Sequence, residues 1–185
     1  SQGITDVSFL VCNTDKQCLN GSSVPAKLQL GPGWGAGGKP EVAQQYAEES
    51  RERIREALND GTQMLFITAG MGGGTGTGAS SIVAEVAREM NILTVGIVTI
   101  PFAFEGPVKI KKAMIGVAKL AEHVDAILVI NNQKLLHIYP DFSMLNAFKK
   151  SDDVVANAAR SIAEIITIPG YINTDFADVY NTLKN

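Results

Sequence analysis

Residues 72–78 carry the clearest chemical signal in the chain; they are Gly72, Gly73, Gly74, Thr75, Gly76, Thr77 and Gly78. The apolar segment 64–68 before them predicts a buried strand, and apolar residues at helical spacing between positions 82 and 90 predict an amphipathic helix after them. A glycine-rich turn between strand and helix lets backbone N–H groups approach an anion, toward which the positive helix end points. Two threonines would add hydroxyl donors to phosphate oxygens. The segment therefore predicts a phosphate-binding loop rather than a flexible linker.

The order of residues in the loop distinguishes between the known phosphate-binding motifs. A P-loop needs a lysine after its last glycine, and none follows here. The dinucleotide fingerprint can be fitted to Gly74, Gly76 and Ala79, but that motif normally opens the first strand–helix unit, and other strands precede this one. A dinucleotide enzyme would also need an acidic ribose ligand after the next strand, where Ile100 and Pro101 offer none. A dinucleotide-dependent oxidoreductase is therefore the less favoured alternative.

Composition excludes several classes of protein. The 185 residues are enough for one well-formed core, and 45% hydrophobic with 19% charged residues is ordinary for a globular domain. A net charge of −3 without a basic stripe argues against nucleic-acid binding. No apolar run has the length of a membrane span, and the N-terminus shows no signal-peptide pattern. We therefore expect a cytoplasmic protein that does not insert into membranes directly.

Cysteine and histidine contribute no recognisable site. Cys12 and Cys18 have no Cys or His partner at metal-ligand spacing and are interpreted as reduced thiols. His123 and His137 have no nucleophile beside them. The sequence therefore predicts neither a protein-ligated metal site nor a hydrolase dyad or triad.

Strand and helix patterns alternate along the whole chain. This alternation predicts an α/β fold, a Rossmann-like three-layer sandwich with a mostly parallel sheet covered on both faces. The predicted strands are 7–11, 26–30, 64–68, 92–100 and 126–130. The predicted helices are 15–20, 40–58, one ending at 90, 108–123, 133–138, a long one near 152–167, and one beginning in 176–183.

Ligands of such sheets bind at the carboxyl ends of the strands, where the following loops converge. This rule alone selects the segments 13–15, 69–78, 101–106 and 131–132 as candidate binding residues.

Several motifs, in order, resemble the tubulin/FtsZ family of GTPases, and the resemblance extends over essentially the whole chain. Besides the glycine loop they are 11–15 (VCNTD), 34–41 (WGAGGKPE), 66–71 (FITAGM), 101–106 (PFAFEG) and 173–178 (NTDFAD).

The resemblance implies roles for individual residues. The loop 72–78 would cradle the phosphates, and Gly35, Ala36, Gly37 and Gly38 would sense the γ-phosphate. Glu105 would bind the ribose, and Phe148 with Asp153 would contact guanine. Without the resemblance, Glu105 could be a solvated loop residue and Asp153 an acid that complements a helix N-terminus. Lys109 stands where the family usually has arginine; it keeps the charge but loses bidentate geometry, which puts strong γ-phosphate clamping from this side in doubt.

A second acidic motif follows the long helix. Asp175 and Asp178 are three apart at a predicted helix start, so both could face one side or simply cap the helix. The resemblance implies that Asn173, Asp175 and Asp178 form the family's catalytic synergy loop, which enters the nucleotide site of the next subunit. There the acids would position and polarise the water that attacks the γ-phosphate, with Mg²⁺ bridging phosphate oxygens.

The function implied by the resemblance is GTP binding and hydrolysis to GDP by a protein that polymerises head to tail. Such filaments form the bacterial division ring at mid-cell, together with tethers and regulators. Because the site would be shared between subunits, an isolated subunit should be nearly inactive. A tubulin-like binding module without turnover is the rival, and the retained Asp175 and Asp178 argue against it.

The resemblance also predicts how the chain is organised. Residues 1–168 would form the GTP-binding domain with its long core helix, and 169–185 the synergy loop and the start of the next helix, without the family's activation domain. The family's first strand and first glycine-rich phosphate loop are not found before Ser1. In a doubly wound sheet that strand lies in the middle. We therefore expect an unfilled central position unless other residues fill it.

Overall fold

A computed structural model describes residues 7–139 and 141–167, together with Thr182. Strands and helices alternate in this part of the chain. They are β1 Leu10–Asn13, α1 Lys16–Gly21, β2 Ala26–Gln29, α2 Pro40–Glu49, α3 Arg51–Leu58, β3 Met64–Gly70, α4 Thr75–Glu89, β4 Leu93–Ile100, α5 Pro107–Ala121, β5 Ala126–Asn131, α6 Asn132–Ile138 and α7 Met144–Thr167. A single 3₁₀ turn, Ala103–Glu105, lies between β4 and α5.

Every described strand pairing is parallel. β3 pairs with β4 and β4 pairs with β5, which gives a three-stranded sheet in the order β3-β4-β5. β1 pairs with β2 in a second sheet of two strands. The predicted α/β fold with parallel strands is confirmed, but the described strands form two sheets rather than one continuous sheet.

Helices cover both faces of the three-stranded sheet. Val95 and Ile97 of β4 pack in one apolar cluster with Ala159 of α7. Val98 points to the opposite face, where it packs in a cluster with Leu120 of α5. Alternate residues of one strand therefore face different helices, as strand geometry requires. This is the three-layer arrangement that the sequence predicts.

Helix α4 belongs to both halves of the structure. Its Ile82 and Val86 are buried in a cluster with Leu28 of β2 and Ile54 of α3, beside the two-stranded sheet. Its Ala84 is buried in the cluster beneath β3 and β4. The two sheets are therefore joined through the apolar faces of α4.

Two predicted helix boundaries are wrong. The helix predicted over 40–58 is interrupted at Ser50, which has φ −98° and ψ 9° and whose Oγ accepts a hydrogen bond from the Gly31 N–H at 3.4 Å. The long helix predicted from 152 begins at Met144 instead, where the preceding Ser143 Oγ accepts from the Asn146 N–H at 3.3 Å. Both differences come from serine hydroxyls that bind backbone groups, which apolar periodicity does not register.

At the ends of the chain only the first predicted strand can be compared with the structure. The first strand, predicted at 7–11, lies at Leu10–Asn13. The predicted last helix and the segment 169–185 lie outside the described residues, apart from Thr182. Within the described part, no helix combines the length and the apolar character that a membrane crossing requires.

Charged side chains reinforce the contact between α3 and α4. Arg51 forms ion pairs with Glu85, at 3.3 Å, and with Glu89, while Arg55 contacts Glu89 at 2.7 Å. Hydrogen bonds from Arg55 and Arg51 lower the pKa of Glu89. These pairs are partly exposed, so their contribution to stability is modest compared with that of the apolar contacts.

We predict that Gly78→Ala destabilises the protein because α4 lies against the α2 backbone without space for a side chain. A Cβ at position 78 would lie 2.0 Å from the carbonyl oxygen of Pro40. The free energy of unfolding, measured by urea denaturation of the full-length protein, should fall by roughly 1–3 kcal/mol or more. Gly21→Ala is the control, since a Cβ there meets nothing within 4 Å. Equal stability of the two variants would contradict the proposed contact.

Candidate functional site

The loops that follow the strands meet at one edge of the structure. Met71, directly after β3, donates its N–H to the Thr99 carbonyl of β4 at 2.9 Å. Ala103, after β4, donates its N–H to Oε1 of Gln133, after β5, at 3.0 Å. The segments selected by the strand-end rule, 13–15, 69–78, 101–106 and 131–132, therefore lie along a common edge.

The glycines of the loop 72–78 are required by close contacts on the protein side. A Cβ at Gly76 would lie 2.4 Å from the Gly70 carbonyl oxygen, and one at Gly74 would lie 2.9 Å from Cβ of Ala36. Gly72 has φ +103°, in the left-handed region. Gly73 differs from these, because it is exposed and a Cβ there meets nothing within 4 Å. The loop is therefore packed on its inner side and open at Gly73.

The N-terminus of α4 lies at the end of this loop and is not capped by a side chain. Its N-cap residue is Gly74, and the first turn contains no acidic residue. The first N–H groups of a helix have no intrahelical acceptor, and the helix dipole adds partial positive charge there. An anion above the loop would meet N–H donors and favourable charge, with no carboxylate from this helix turn to repel it.

The two threonines of the loop have different surroundings. Thr77 is buried, and its Oγ1 accepts a hydrogen bond from the Gly72 N–H at 2.8 Å, which closes the loop on itself. Thr75 is half-buried, and its Oγ1 lies 2.7 Å from Oγ1 of Thr14. The expectation that both hydroxyls face phosphate is therefore not met by Thr77, which supports the loop from inside, whereas Thr75 lies at the edge shared by β1 and β3.

The loop 35–38 lies directly beside the glycine loop. Ala36 is buried against Gly74, and the Gly35 N–H donates to the Thr14 carbonyl at 2.9 Å. Gly35, Gly37 and Gly38 all have positive φ, of 81°, 57° and 69°. Glycine adopts these conformations most readily because it has no Cβ. The structure therefore brings the two glycine-rich segments together, although nearly forty positions separate them in the sequence.

Glu105 is held from two sides. Its Oε1 accepts from the Phe102 N–H at 2.9 Å and its Oε2 from Nζ of Lys109 at 3.2 Å. The side chain is 17% exposed, so Glu105 is a fixed group and not a freely solvated loop residue. A Cβ at position 72 would lie 2.9 Å from the carbonyl oxygen of Lys109, so the first turns of α5 lie directly against the glycine loop 72–78.

Three aromatic rings form an apolar wall next to Glu105. Phe102 stacks on Phe104 with ring centroids 5.0 Å apart, and Phe148 of α7 meets Phe102 edge to face at 5.0 Å. Phe102 is fully buried, whereas Phe104 and Phe148 are 49% and 39% exposed. Exposed rings at a strand-end edge can pack against a planar ligand. The sequence prediction named Phe148 individually and included Phe104 only as part of the segment 101–106.

Asp152 and Asp153 of α7 lie on different helix faces relative to Phe148. Asp152 is four residues after Phe148 and shares its helix face, whereas Asp153, five residues on, is rotated away by roughly a further 100°. Partial burial, and then the carboxylate of Asp153, raise the pKa of Asp152. The sequence prediction assigned this position to Asp153; helix geometry favours Asp152 as the acid beside the aromatic wall.

The remaining residues of the sequence prediction are the acidic motif 173–178 and the two cysteines. Asn173, Asp175 and Asp178 lie outside the described residues. Within the described ranges, no three His, Cys, Asp or Glu side chains come together in a way that could hold a metal ion. Burial raises the pKa of Cys12 to about 11, so it is a neutral thiol at physiological pH. Cys18 is exposed and forms no disulfide.

Comparison with known proteins identifies the family of the chain. The family described as "Tubulin/FtsZ family, GTPase domain" matches residues 2–140. The cell division protein FtsZ of Porphyromonas gingivalis is 56% identical over 187 residues, which cover 98% of this chain and 41% of that protein. The FtsZ of Pseudomonas aeruginosa is 54% identical over 186 residues, which cover 98% of this chain and 47% of that protein.

The fold comparison agrees. An empty FtsZ dimer from M. jannaschii superposes with a TM-score of 0.94 at 42% identity and covers 100% of this chain and 55% of that one. The chain spans less than half the length of the two curated relatives. Sequence and fold together show that the chain belongs to the tubulin/FtsZ family.

Proposed function

We propose that the protein binds GTP at the edge where the strand-end loops meet. The phosphates would lie over the open side of the loop 72–78, with the loop 35–38 beside the terminal phosphate. Glu105 would accept hydrogen bonds from the ribose hydroxyls, and the guanine ring would lie against Phe104 and Phe148. The observation that carries this proposal is the exposed Gly73 in front of the uncapped N-terminus of α4.

The electrostatics of the edge suit a polyphosphate. Backbone N–H groups at the start of α4 would supply donors without a counter-charge to displace. Lys109 would add a cation on the side of α5, where the ion pair with Glu105 keeps it near the ribose position. Its ammonium provides a point charge and not the bidentate grip of an arginine. The binding free energy would therefore come mainly from the backbone groups.

We propose further that the protein hydrolyses GTP to GDP and assembles head to tail into filaments of the bacterial division ring. Two relatives above 50% identity are cell division proteins, and a relative of the same fold was solved as a dimer. Such filaments would lie in the cytoplasm at mid-cell and would engage tethers and regulators. Residues 1–168 would form the GTP-binding domain, and 169–185 would reach the neighbouring subunit.

In this scheme the catalytic groups come from the next subunit. Asn173, Asp175 and Asp178 would hold the attacking water in line with the γ-phosphate, because phosphoryl transfer depends chiefly on positioning and charge neutralisation. Mg²⁺, when bound, would neutralise the phosphate oxygens. The described residues offer no cage of carboxylates, which fits a cation held largely by phosphate and water.

We expect Gly73→Ala to weaken nucleotide binding without loss of stability. The new methyl group would occupy open space toward the ligand and meet no protein atom within 4 Å. Full-length wild type should release guanine nucleotide when denatured, and the variant should bind GTP about tenfold more weakly at unchanged urea stability. Release of a nicotinamide dinucleotide, or an affinity equal to wild type, would contradict the proposed site.

Asp152→Asn and Asp153→Asn form a matched pair on α7. Guanine presents neighbouring N–H donors to a carboxylate, which can accept both, whereas an amide accepts only through its oxygen. Asp152→Asn should therefore reduce GTP affinity about tenfold and Asp153→Asn much less. The raised pKa of Asp152 means that this carboxylate takes up a proton at a higher pH than an ordinary aspartate does. As the pH is lowered, the GTP affinity of wild type should therefore begin to fall at that higher pH. The affinity of Asp152→Asn should lack this dependence. A larger effect at Asp153 would reverse the assignment.

Asp178→Ala should leave GTP binding near normal and abolish turnover, because this acid would act on the neighbour's nucleotide. Phosphate release and GTP affinity should be measured on the same preparation of full-length protein. Mixing this variant with Gly73→Ala should restore part of the activity, since an intact phosphate loop of one subunit can then meet an intact Asp178 of another. Absence of any recovery, or loss of binding by Asp178→Ala alone, would argue for a structural role of the acid.

A further inference from the structure

A lysine on α5 holds the backbone of the loop 35–38. Nζ of Lys112 donates a hydrogen bond to the carbonyl oxygen of Gly38 at 2.7 Å, across 74 positions of sequence. Lys112 is half-buried, unlike the exposed Lys111 beside it. An ammonium carries three donors, and within the described part of the chain Lys112 forms no ion pair, so the Gly38 carbonyl is its hydrogen-bond partner there.

The loop at this point has little else to fix it. Gly37 and Gly38 have positive φ, and a Cβ at either position would meet nothing within 4 Å. On the other side the loop is anchored by buried Ala36, whose carbonyl accepts from the Lys39 N–H at 3.0 Å. Glycines have wide conformational freedom, and no neighbouring side chain or backbone fills the space where a Cβ of either residue would lie. The hydrogen bond from Lys112 therefore restrains the end of this loop, at Gly38, from the side of α5.

The restrained loop adjoins the phosphate loop. The Lys39 N and the Gly38 carbonyl carbon lie 3.1 and 3.4 Å from the Cβ position of Gly74. One turn before Lys112 on the same helix, Lys109 is directed to Glu105 instead. The two lysines of α5 therefore contact different parts of the edge. Lys109 contacts Glu105, at the position proposed for the ribose. Lys112 contacts Gly38, at the position proposed for the terminal phosphate.

We propose that Lys112 is a positioning residue that preorganises the loop 35–38 for the terminal phosphate. This inference rests on the proposed GTP site. Without the tether, the loop must be ordered when the ligand binds, and the entropy of ordering reduces the affinity. A triphosphate reaches this loop, whereas a diphosphate ends before it. The tether therefore increases the preference of the protein for GTP over GDP.

Trp34 provides a direct readout of the loop. It is the single tryptophan of this chain, it is 87% exposed, and it lies next to Gly35. Its steady-state fluorescence anisotropy in the nucleotide-free, full-length protein reports loop mobility independently of ligand binding. Trp34→Phe gives the background signal. The variants to compare are Lys112→Met, which removes the donor, Lys112→Arg, which retains it, and Lys111→Met as the neighbouring control.

Lys112→Met should lower the anisotropy of Trp34 and weaken binding of a non-hydrolysable GTP analogue about fivefold, with less than about a twofold change for GDP. Lys112→Arg should restore both values, and Lys111→Met should resemble wild type. An unchanged anisotropy in Lys112→Met would overturn the tether. A lower anisotropy with equal weakening of GTP analogue and GDP would overturn its link to the terminal phosphate. Failure of wild type to bind either nucleotide would instead refute the proposed GTP site, while the anisotropy still decides whether the tether exists.

Discussion

The contact of the α4 backbone with neighbouring carbonyl oxygens is the constraint on which the rest of the structure depends. Gly76 lies against the Gly70 carbonyl and Gly78 against the Pro40 carbonyl, at distances that exclude a Cβ. A third close approach joins α5, where Gly116 lies against the side chain of Thr77. Because α4 touches β3, α2 and α5 in this way, its position fixes both halves of the core and the edge where the loops meet.

The same packing divides the glycine loop into two sides. On the inner side glycine is needed because protein atoms are too near, and on the outer side Gly73 is unobstructed. Thr77 closes the loop from inside, so the backbone N–H groups are held in place before a ligand arrives. Preorganised donors bind an anion with less loss of conformational entropy than a flexible loop would. The contacts on the inner side therefore determine how well ordered the N–H donors on the outer side are.

Sequence patterns predicted the fold class and the converging strand ends because both can be inferred from local features. These features are the spacing of apolar residues, the positions of glycines and the order of strands and helices along the chain. They failed where a hydrogen bond between a side chain and the backbone decides the outcome. The break at Ser50 depends on Gly31, and the inward role of Thr77 depends on Gly72. Asp152 differs from these cases, because its four-residue spacing from Phe148 was visible in the sequence and could have been used.

The order of elements around α4 has a consequence for folding kinetics. The elements β3, α4, β4, α5 and β5 follow one another in the chain, and their strands pair in the same order. In each strand pair of this unit the intervening helix packs on both strands, so the unit can assemble from one continuous stretch of chain. β1 and β2 come earlier in the chain and pack against the other apolar face of α4. We therefore expect the central unit to act as the nucleus, with the two-stranded sheet as the later and more easily opened part during hydrogen exchange.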